Sequence, residues 1–233
     1  MDPSEPGPAS RSKRLPRAVR ERQILDAAVG VFSELGYHAA SMDEISTAAN
    51  ISKPMIYAYL GAKEDLFRVC IQRESTRLLE SVTAQATVEL PADEQLWFGL
   101  LAFFSHIEAN RDGWRVLHRH AVGAGAPFAA EISGVRSRAV SLVAALVVTS
   151  ASTAIHDGVG AAAVRSGESL AAALVGAAES LADWWIDHPG DAAEVMAVRL
   201  MNLIWMGFGD LIRDRQWRAP TALRPAEPEQ AQG

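Results

Sequence analysis

The most constraining feature of this chain lies between Ile24 and Leu66, where stretches of helical periodicity are cut apart by residues that start or end helices. Ile24, Ala28, Val31, Phe32 and Leu35 fall at offsets of four, seven, eight and eleven, one face of an amphipathic helix predicted over 17–35. Gly36 follows as a residue that accepts the left-handed conformation at a helix end. Ser41-Met42-Asp43-Glu44 is a capping box, in which Glu44 reaches back to the Ser41 amide. It opens a short helix to about Ala48 that buries Ile45 and Ala48. Asn50 makes the turn. Ser52 caps a third short helix with Lys53, Pro54 and Met55 in its first turn, where proline is tolerated because those amides have no intrahelical partner. Gly61 breaks the chain again, and Lys63 opens a long fourth helix through Leu66, Phe67, Cys70 and Leu78.

The rest also reads as helix. Amphipathic stretches are predicted over 93–110, 112–120, 127–150, 168–188 and 191–213, punctuated by Pro91, Gly123-Ala124-Gly125, Gly158-Val159-Gly160 and Pro189-Gly190. The stretch 151–166 fits either a helix start or a loop. Strand alternation is absent, so the fold class is all-α: a three-helix N-terminal unit joined by a long helix to a larger helical domain. The expected divisions are 1–16 as a loose basic arm, 17–77 as the first unit, 78–217 as the larger domain, and 218–233 as a Pro-, Glu- and Gln-rich tail.

Two short helices joined by a tight turn under a longer first helix make a helix-turn-helix, whose second helix lies in the major groove of DNA, here at about 41–60. A net charge of −6 looks wrong for that partner until it is divided along the chain. Residues 81–233 carry 11 basic and 17 acidic residues, whereas residues 11–80 carry 11 basic and 9 acidic. Arg11, Lys13, Arg14, Arg17, Arg20 and Arg22 face only Glu21. An acidic body with a basic leading end suits a protein that meets DNA through one end, although a solvated charge run fits the same count. Ser52 leaves amides at a helix N-terminus for a phosphate, and Lys53 and Met55 project from the first turn toward base edges. Tyr57, Tyr59 and Lys63 suit the DNA backbone. The candidate DNA-contacting set is Arg17, Arg20, Ser41, Ser52, Lys53, Pro54, Met55, Tyr57, Tyr59 and Lys63.

These residues resemble the tetracycline-repressor (TetR) family. The match runs in order and without gaps from about Arg17 to Arg77, through Ile24-Leu25-Asp26-Ala27-Ala28, Phe32, Gly36-Tyr37, Ser41-Met42-Asp43-Glu44-Ile45, Ala48, Ile51-Ser52-Lys53-Pro54, Ile56-Tyr57, Tyr59 and Lys63-Glu64-Asp65-Leu66. Leu60 departs from the phenylalanine usual there, a change that bears on packing. The resemblance implies that Tyr57, Tyr59 and Lys63 touch phosphates, and that the second half of the chain dimerises and binds a ligand.

In that second half Ala172, Gly176 and Ser180 place small residues at every fourth position, with Leu203 and Gly207 on the last helix. Such a stripe lets helices approach closely, between two subunits or inside one. A single recognition helix makes too few contacts for a specific site, which favours a homodimer on a palindromic double-stranded operator. Trp97, Phe103, Phe104, Ile107, Trp114 and Leu117, with Val143, Leu146, Leu174 and Trp185, form an aromatic and aliphatic stripe that reads as plain core or as the lining of a ligand pocket. Lined this way, a pocket favours an elongated apolar molecule. The leader Arg14-Leu15-Pro16-Arg17 and the pair Trp184-Trp185 also resemble family members that sense long-chain acyl-CoA, with Arg111, Arg115 or Arg119 toward a polar head group. The function expected is a ligand-responsive repressor whose paired recognition helices such an effector shifts off the operator. The alternatives are a regulator responding to an apolar drug-like compound and a helical scaffold that binds no DNA.

Enzymatic chemistry finds no support: no Gly-rich phosphate loop, nucleophile elbow or metal cluster is present, and no cofactor is expected. His118 and His120, two apart on a helix, point different ways and suit no shared metal. Cys70 is the only cysteine and sits on an apolar face, as a buried small hydrophobe in a reducing cytoplasm. No apolar core follows the N-terminal charges, and the most apolar run, 139–148, is short of the roughly 20 residues that cross a bilayer.

Overall fold

The computed structural model describes residues 16–84, 90–121, 128–154 and 161–212. The expected loose ends, with Arg11, Lys13 and Arg14, lie outside these residues apart from Pro16. Among the described residues every regular element is a helix. The first four are α1 (Arg17–Ala39), α2 (Met42–Ala49), α3 (Lys53–Leu60) and α4 (Lys63–Thr83).

Local chemistry sets their ends. The capping box forms in full, with the Glu44 amide donating to Ser41 Oγ and the Ser41 amide to Glu44 Oε2. Asn50 takes the left-handed conformation (φ 51°, ψ 44°) that turns α2 into α3. Gly61 ends α3 at φ 76°, where a Cβ would also fall 2.6 Å from Asp65 Oδ2. Gly36 (φ 76°, ψ 169°) leaves helical geometry where the first helix was expected to end, and a short further turn carries α1 on to Ala39. One expectation fails here. Ser52 occupies the cap position of α3 but its side chain makes no capping bond.

α1 buries Ile24, Leu25, Ala28, Val29, Phe32, Ser33 and Gly36. That face is rotated from the expected one, because residues 111–120 dock on Ser33 and Gly36, and Leu35 is left 40% exposed. On α2 the residue one turn after Ile45 that is buried is Ala49, not Ala48. The core of this end joins Ile24, Phe32, Ile45, Ile56, Leu66 and Phe67 to Val116, Leu117, Ala121 and Phe128 from far along the chain. Phe67 is its centre: its ring lies 4.7 Å from Phe32, 4.9 Å from Tyr37 and 4.9 Å from Phe128, centroid to centroid. Leu117, expected in the aromatic stripe of the larger domain, belongs to this core instead. Cys70 is fully buried here, and burial pushes its thiol up to about 12, which leaves it unreactive.

The remaining helices are α5 (Ala92–Ala109), α6 (Arg111–Arg115) with a π-helical turn Val116–His120 continuing it, α7 (Ala129–Ala154), α8 (Ala161–Asp187) and α9 (Ala193–Ile212). Of the ambiguous stretch, 151–154 is the last turn of α7 and 161–166 an earlier start of α8 than expected, and 155–160 lies outside the described residues. α5, α8 and α9 enclose a second core around Phe104, Ile107, Trp114, Leu174, Trp185, Met196 and Leu200. Between the two cores lies buried Glu74, 2% exposed, which accepts from Arg73 at 2.8 Å and pairs with Arg77 at 3.5 Å. Gly113 makes room for it, since a Cβ there would lie 2.6 Å from Glu74 Oε2.

Candidate nucleic-acid interface

The recognition unit is α2, the Asn50 turn and α3, tied to α1 by Gln23, whose amide donates to the Ala49 carbonyl at 2.8 Å. On α3, Ile56 is fully buried and fixes which way the helix faces. Ser52, Pro54, Tyr57 and Ala58 then point outward, with Tyr57 47% exposed. Lys53, Met55 and Tyr59 are half-buried. Ala58 was not singled out from sequence, because a small residue carries no chemical signal. Its place on the outward face follows only once Ile56 is known to be inward.

The charged members of the predicted set are brought together but not left open. Arg17 bonds Glu21 at 2.7 Å and lies over the Tyr59 ring, 5.1 Å from its centroid. Arg20 reaches the Met55 sulfur at 3.8 Å, which draws Met55 toward α1 and away from a free position in the first turn. Lys53 bonds Asp43 of α2 at 2.8 Å, and that bond holds its ammonium above its ordinary pKa. Exposed pairs of this kind are easily exchanged for a phosphate. Ser41 is consumed by the capping box.

Two roles are corrected. The α3 N-terminus offers fewer amides to an anion than expected, because Pro54 has no N–H and the Met55 amide donates to the Ser52 carbonyl at 2.9 Å. Lys63 is not an open point charge. Its ammonium donates to the carbonyls of Tyr37 at 2.8 Å, Ala40 at 2.9 Å and His38 at 3.3 Å, which use its three donors on the end of α1. It also lies 4.8 Å over the Tyr37 ring. Nothing in local spacing signals these bonds, which span more than twenty residues.

In the second core Phe103, Phe104, Trp114 and Trp185 meet edge to face at centroid distances of 5.0, 5.5 and 6.0 Å. Phe104, Ile107 and Trp185 are fully buried, so the stripe is closely packed in this state. Trp97, Val143 and Leu174 join the same cluster, and the side chain of Leu146 lies outside the described residues. Of the arginines expected near a head group, Arg115 pairs with Asp112 at 3.3 Å and Arg119 with Asp187. Arg111 instead stacks over Trp185, 5.4 Å from its ring, and lines a cleft of about 360 Å³ with Asp26, Arg73, Glu74, Arg77 and Glu108.

Comparison with known proteins fits this arrangement. Residues 24–70 match the family model described as bacterial regulatory proteins, tetR family, and residues 92–207 match the tetracyclin repressor-like C-terminal domain. A TetR-like transcriptional regulator from Rhodococcus sp. RHA1 is 39% identical, with a TM-score of 0.71 over 84% of this chain and 99% of that one. The chain belongs to the TetR family. The HTH-type transcriptional activator FasR of Mycolicibacterium smegmatis is 37% identical over 46% of this chain and 49% of its own. This TetR-family chain spans about half the length of the curated relatives it matches, 49%, 46% and 42% for three of them. FadR from Bacillus subtilis, solved in complex with stearoyl-CoA, shares the fold at 19% identity, a TM-score of 0.61, and coverage of 78% of this chain and 96% of its own.

TetR-family proteins are DNA-binding transcription regulators and not enzymes, and no helix among the described residues is long and apolar enough to cross a membrane. The expected small-residue stripe of this TetR-family chain divides. Ala172 and Ser180 are exposed, but Gly176 faces Arg136 of α7, whose Nη2 would lie 3.3 Å from a Cβ there, so it packs inside the subunit. Leu203 is 71% exposed beside Val198 at 42% and Val195 at 37%, and α8 adds Trp184 at 47%. The surroundings of Gly207 are outside the described residues.

Proposed function

We propose that this chain is a homodimeric, ligand-responsive regulator of transcription that binds a palindromic double-stranded operator in the cytoplasm and senses a fatty acyl-CoA. The observation that carries the DNA half is the outward face of α3, with Pro54 and Tyr57 presented beside Lys53 and backed by fully buried Ile56. In this reading Arg17, Arg20, Lys53, Tyr57 and Tyr59 meet the duplex. Exposed pairs such as Lys53–Asp43 open to do so. Ser41 and Lys63 act by shaping the unit.

Support for the effector comes from the apolar cluster of Phe103, Phe104, Trp114, Leu174 and Trp185, and from the acyl ligand named for B. subtilis FadR. The packed cluster opens to admit a chain, and Arg111, stacked on Trp185 at the cleft, meets the polar head. Each methylene buried contributes about 0.8 kcal/mol, so potency rises with chain length until the cavity is full. A duplex enriched from a random pool by the full chain, titrated with acyl-CoAs of increasing length, tests both halves. Expected are a palindromic site and a response that grows with chain length. Release of DNA marks a repressor, and tightening marks an activator. An equal response to free coenzyme A refutes the acyl reading, and failure to enrich any site refutes the regulator.

The exposed apolar face of α8 and α9 supplies the dimer contact in this reading. Leu203→Glu puts a charge at the most exposed large apolar residue on it. The variant is expected to run as a monomer in light scattering at concentrations where the natural chain is a dimer, and an unchanged mass rules this face out.

A further inference from the structure

Residues 111–120 are gripped on two sides by different helices. On one side is Ser33 of α1, whose Oγ donates to Asp112 at 2.7 Å and whose carbonyl lies 2.9 Å from His120 Nε2. A carbonyl only accepts, so His120 carries its proton on Nε2. Gly36 allows the close fit, since a Cβ there would lie 3.0 Å from His120 Nδ1. On the other side is Asp183 of α8. One of its oxygens accepts from Trp114 Nε1 at 2.8 Å, and the other lies 3.0 Å from His118 Nδ1. The His118 ring stacks on Trp114, 4.3 Å between centroids and 11° between planes. Its Nε2 lies 3.6 Å from Glu179 Oε1. The segment therefore ties α1, which carries the recognition unit through Gln23, to α8.

We propose that His118 and Asp183 form a proton-responsive joint that positions α1, so that DNA affinity depends on the charge of His118. The inference rests on the reading of this chain as a DNA-binding regulator. Both ring nitrogens face carboxylates, which accept but do not donate when ionised, so the joint is complete only with an imidazolium. A neutral ring has one N–H and turns a lone pair toward the other carboxylate. The charged groups around it come from three elements. α8 presents Glu179 and Asp183, and α7 presents Arg136, whose Nη1 lies 3.4 Å from Glu179. The segment itself presents Arg115, paired with Asp112, and Arg119, which bonds the Asp183 carbonyl and Asp187.

Burial opposes the imidazolium, while the Glu179 and Asp183 carboxylates favour it and prevail, raising the His118 pKa above the ordinary 6.5. A raised pKa in the folded state stabilises fully below 6.5, and that contribution is lost as pH climbs through the raised value. The π-helical turn at Val116–His120 is a rare form that is frequent at functional sites, and here side-chain bonds on both sides hold it. When His118 loses its proton one of its two carboxylate contacts turns repulsive, the α8 side is held only by the remaining bonds of Trp114, His118 and Arg119, and α1 loosens. DNA must then re-order it at a loss of affinity.

The test compares the full chain with His118→Gln and Asp183→Asn, by fluorescence anisotropy on the duplex enriched by the natural chain, from about pH 6 to about pH 8.5. The natural chain is expected to lose affinity about fivefold more than His118→Gln across that range, a typical coupling. Hydrogen exchange of amides 24–36 provides a readout without DNA. His118→Gln should exchange faster than the natural chain at the acid end and equally at the alkaline end. In Asp183→Asn the His118 titration followed by NMR should move to lower pH, because one of the carboxylates that favour the imidazolium is gone, and the pH step in DNA affinity should move with it. A natural chain that binds no duplex refutes the regulator reading and leaves the exchange comparison to decide the joint. Exchange ratios that do not change with pH, or matching pH profiles for the natural chain and His118→Gln, overturn the joint.

Discussion

Phe67→Ala is expected to lower the unfolding free energy by about 3–5 kcal/mol, read as a fall in the urea midpoint with little change in slope. Phe67 is fully buried, and its ring is the common neighbour of Phe32 in α1, Tyr37 at the end of α1 and Phe128 before α7. Alanine removes the apolar surface and leaves a cavity, because rings held by α1 and by the segment before α7 cannot all collapse into it. Edge-to-face contacts add about 0.5–1.5 kcal/mol per pair beyond area, and two of the three are lost as such. The effect reaches the recognition unit, since Tyr37 loses one side of its seat and Lys63 lies over its ring. DNA affinity should therefore fall with stability. Phe67→Leu keeps most of the volume and should lose about 1.5 kcal/mol or less. Equal midpoints for the alanine and leucine variants would show that the site refills and that Phe67 is not the keystone.

Most of this architecture could be read from the chain because it rests on interactions within four residues. The Ser41–Glu44 box, the Asn50 turn and the Gly61 break are such signals, and the structure realises each of them. The aromatic stripe was legible as one cluster because helical spacing puts Phe103, Phe104 and Ile107 close together. Whether such a cluster is filled or hollow depends on how α8 and α9 approach it, which no periodicity encodes. What sequence missed are contacts between distant segments. Leu117 joins the N-terminal core because residues 111–120 dock on α1, and the same docking rotates the buried face of α1 away from Leu35. Ser52 has the right residue type and backbone for a cap, yet Ser52 Oγ makes no such bond, since Pro54 removes one of the amides a cap would serve. Gly176 lies on the predicted stripe but faces Arg136, because the contact of α7 with α8 inside the subunit takes that part of the helix.

Lys63 is where the sequence reading and the structure lead to opposite measurements. As a phosphate ligand, its replacement by alanine would leave folding intact and flatten the salt dependence of DNA binding by about 0.9 log units of slope. The structure places its ammonium on the carbonyls of Tyr37, His38 and Ala40, the last carbonyls of a helix, where no backbone amide follows to satisfy them. A hydrogen bond to a charged group is worth about 1.5–3 kcal/mol, and the three share one donor group, so they do not add. Lys63→Ala is thus expected to destabilise the protein by about 1.5–3 kcal/mol and to leave the salt slope unchanged. Affinity should fall alike for every duplex, because α1 and the start of α4 lose the clasp that sets the angle of α3 between them. Lys63→Arg retains charge and donors but replaces a three-way ammonium with a planar fork, and should recover only part of the stability. Denaturation and salt titration on the same two variants separate the cases. A flattened slope at full stability would return Lys63 to the phosphates, and lost stability at constant slope fixes it as the clasp of α1.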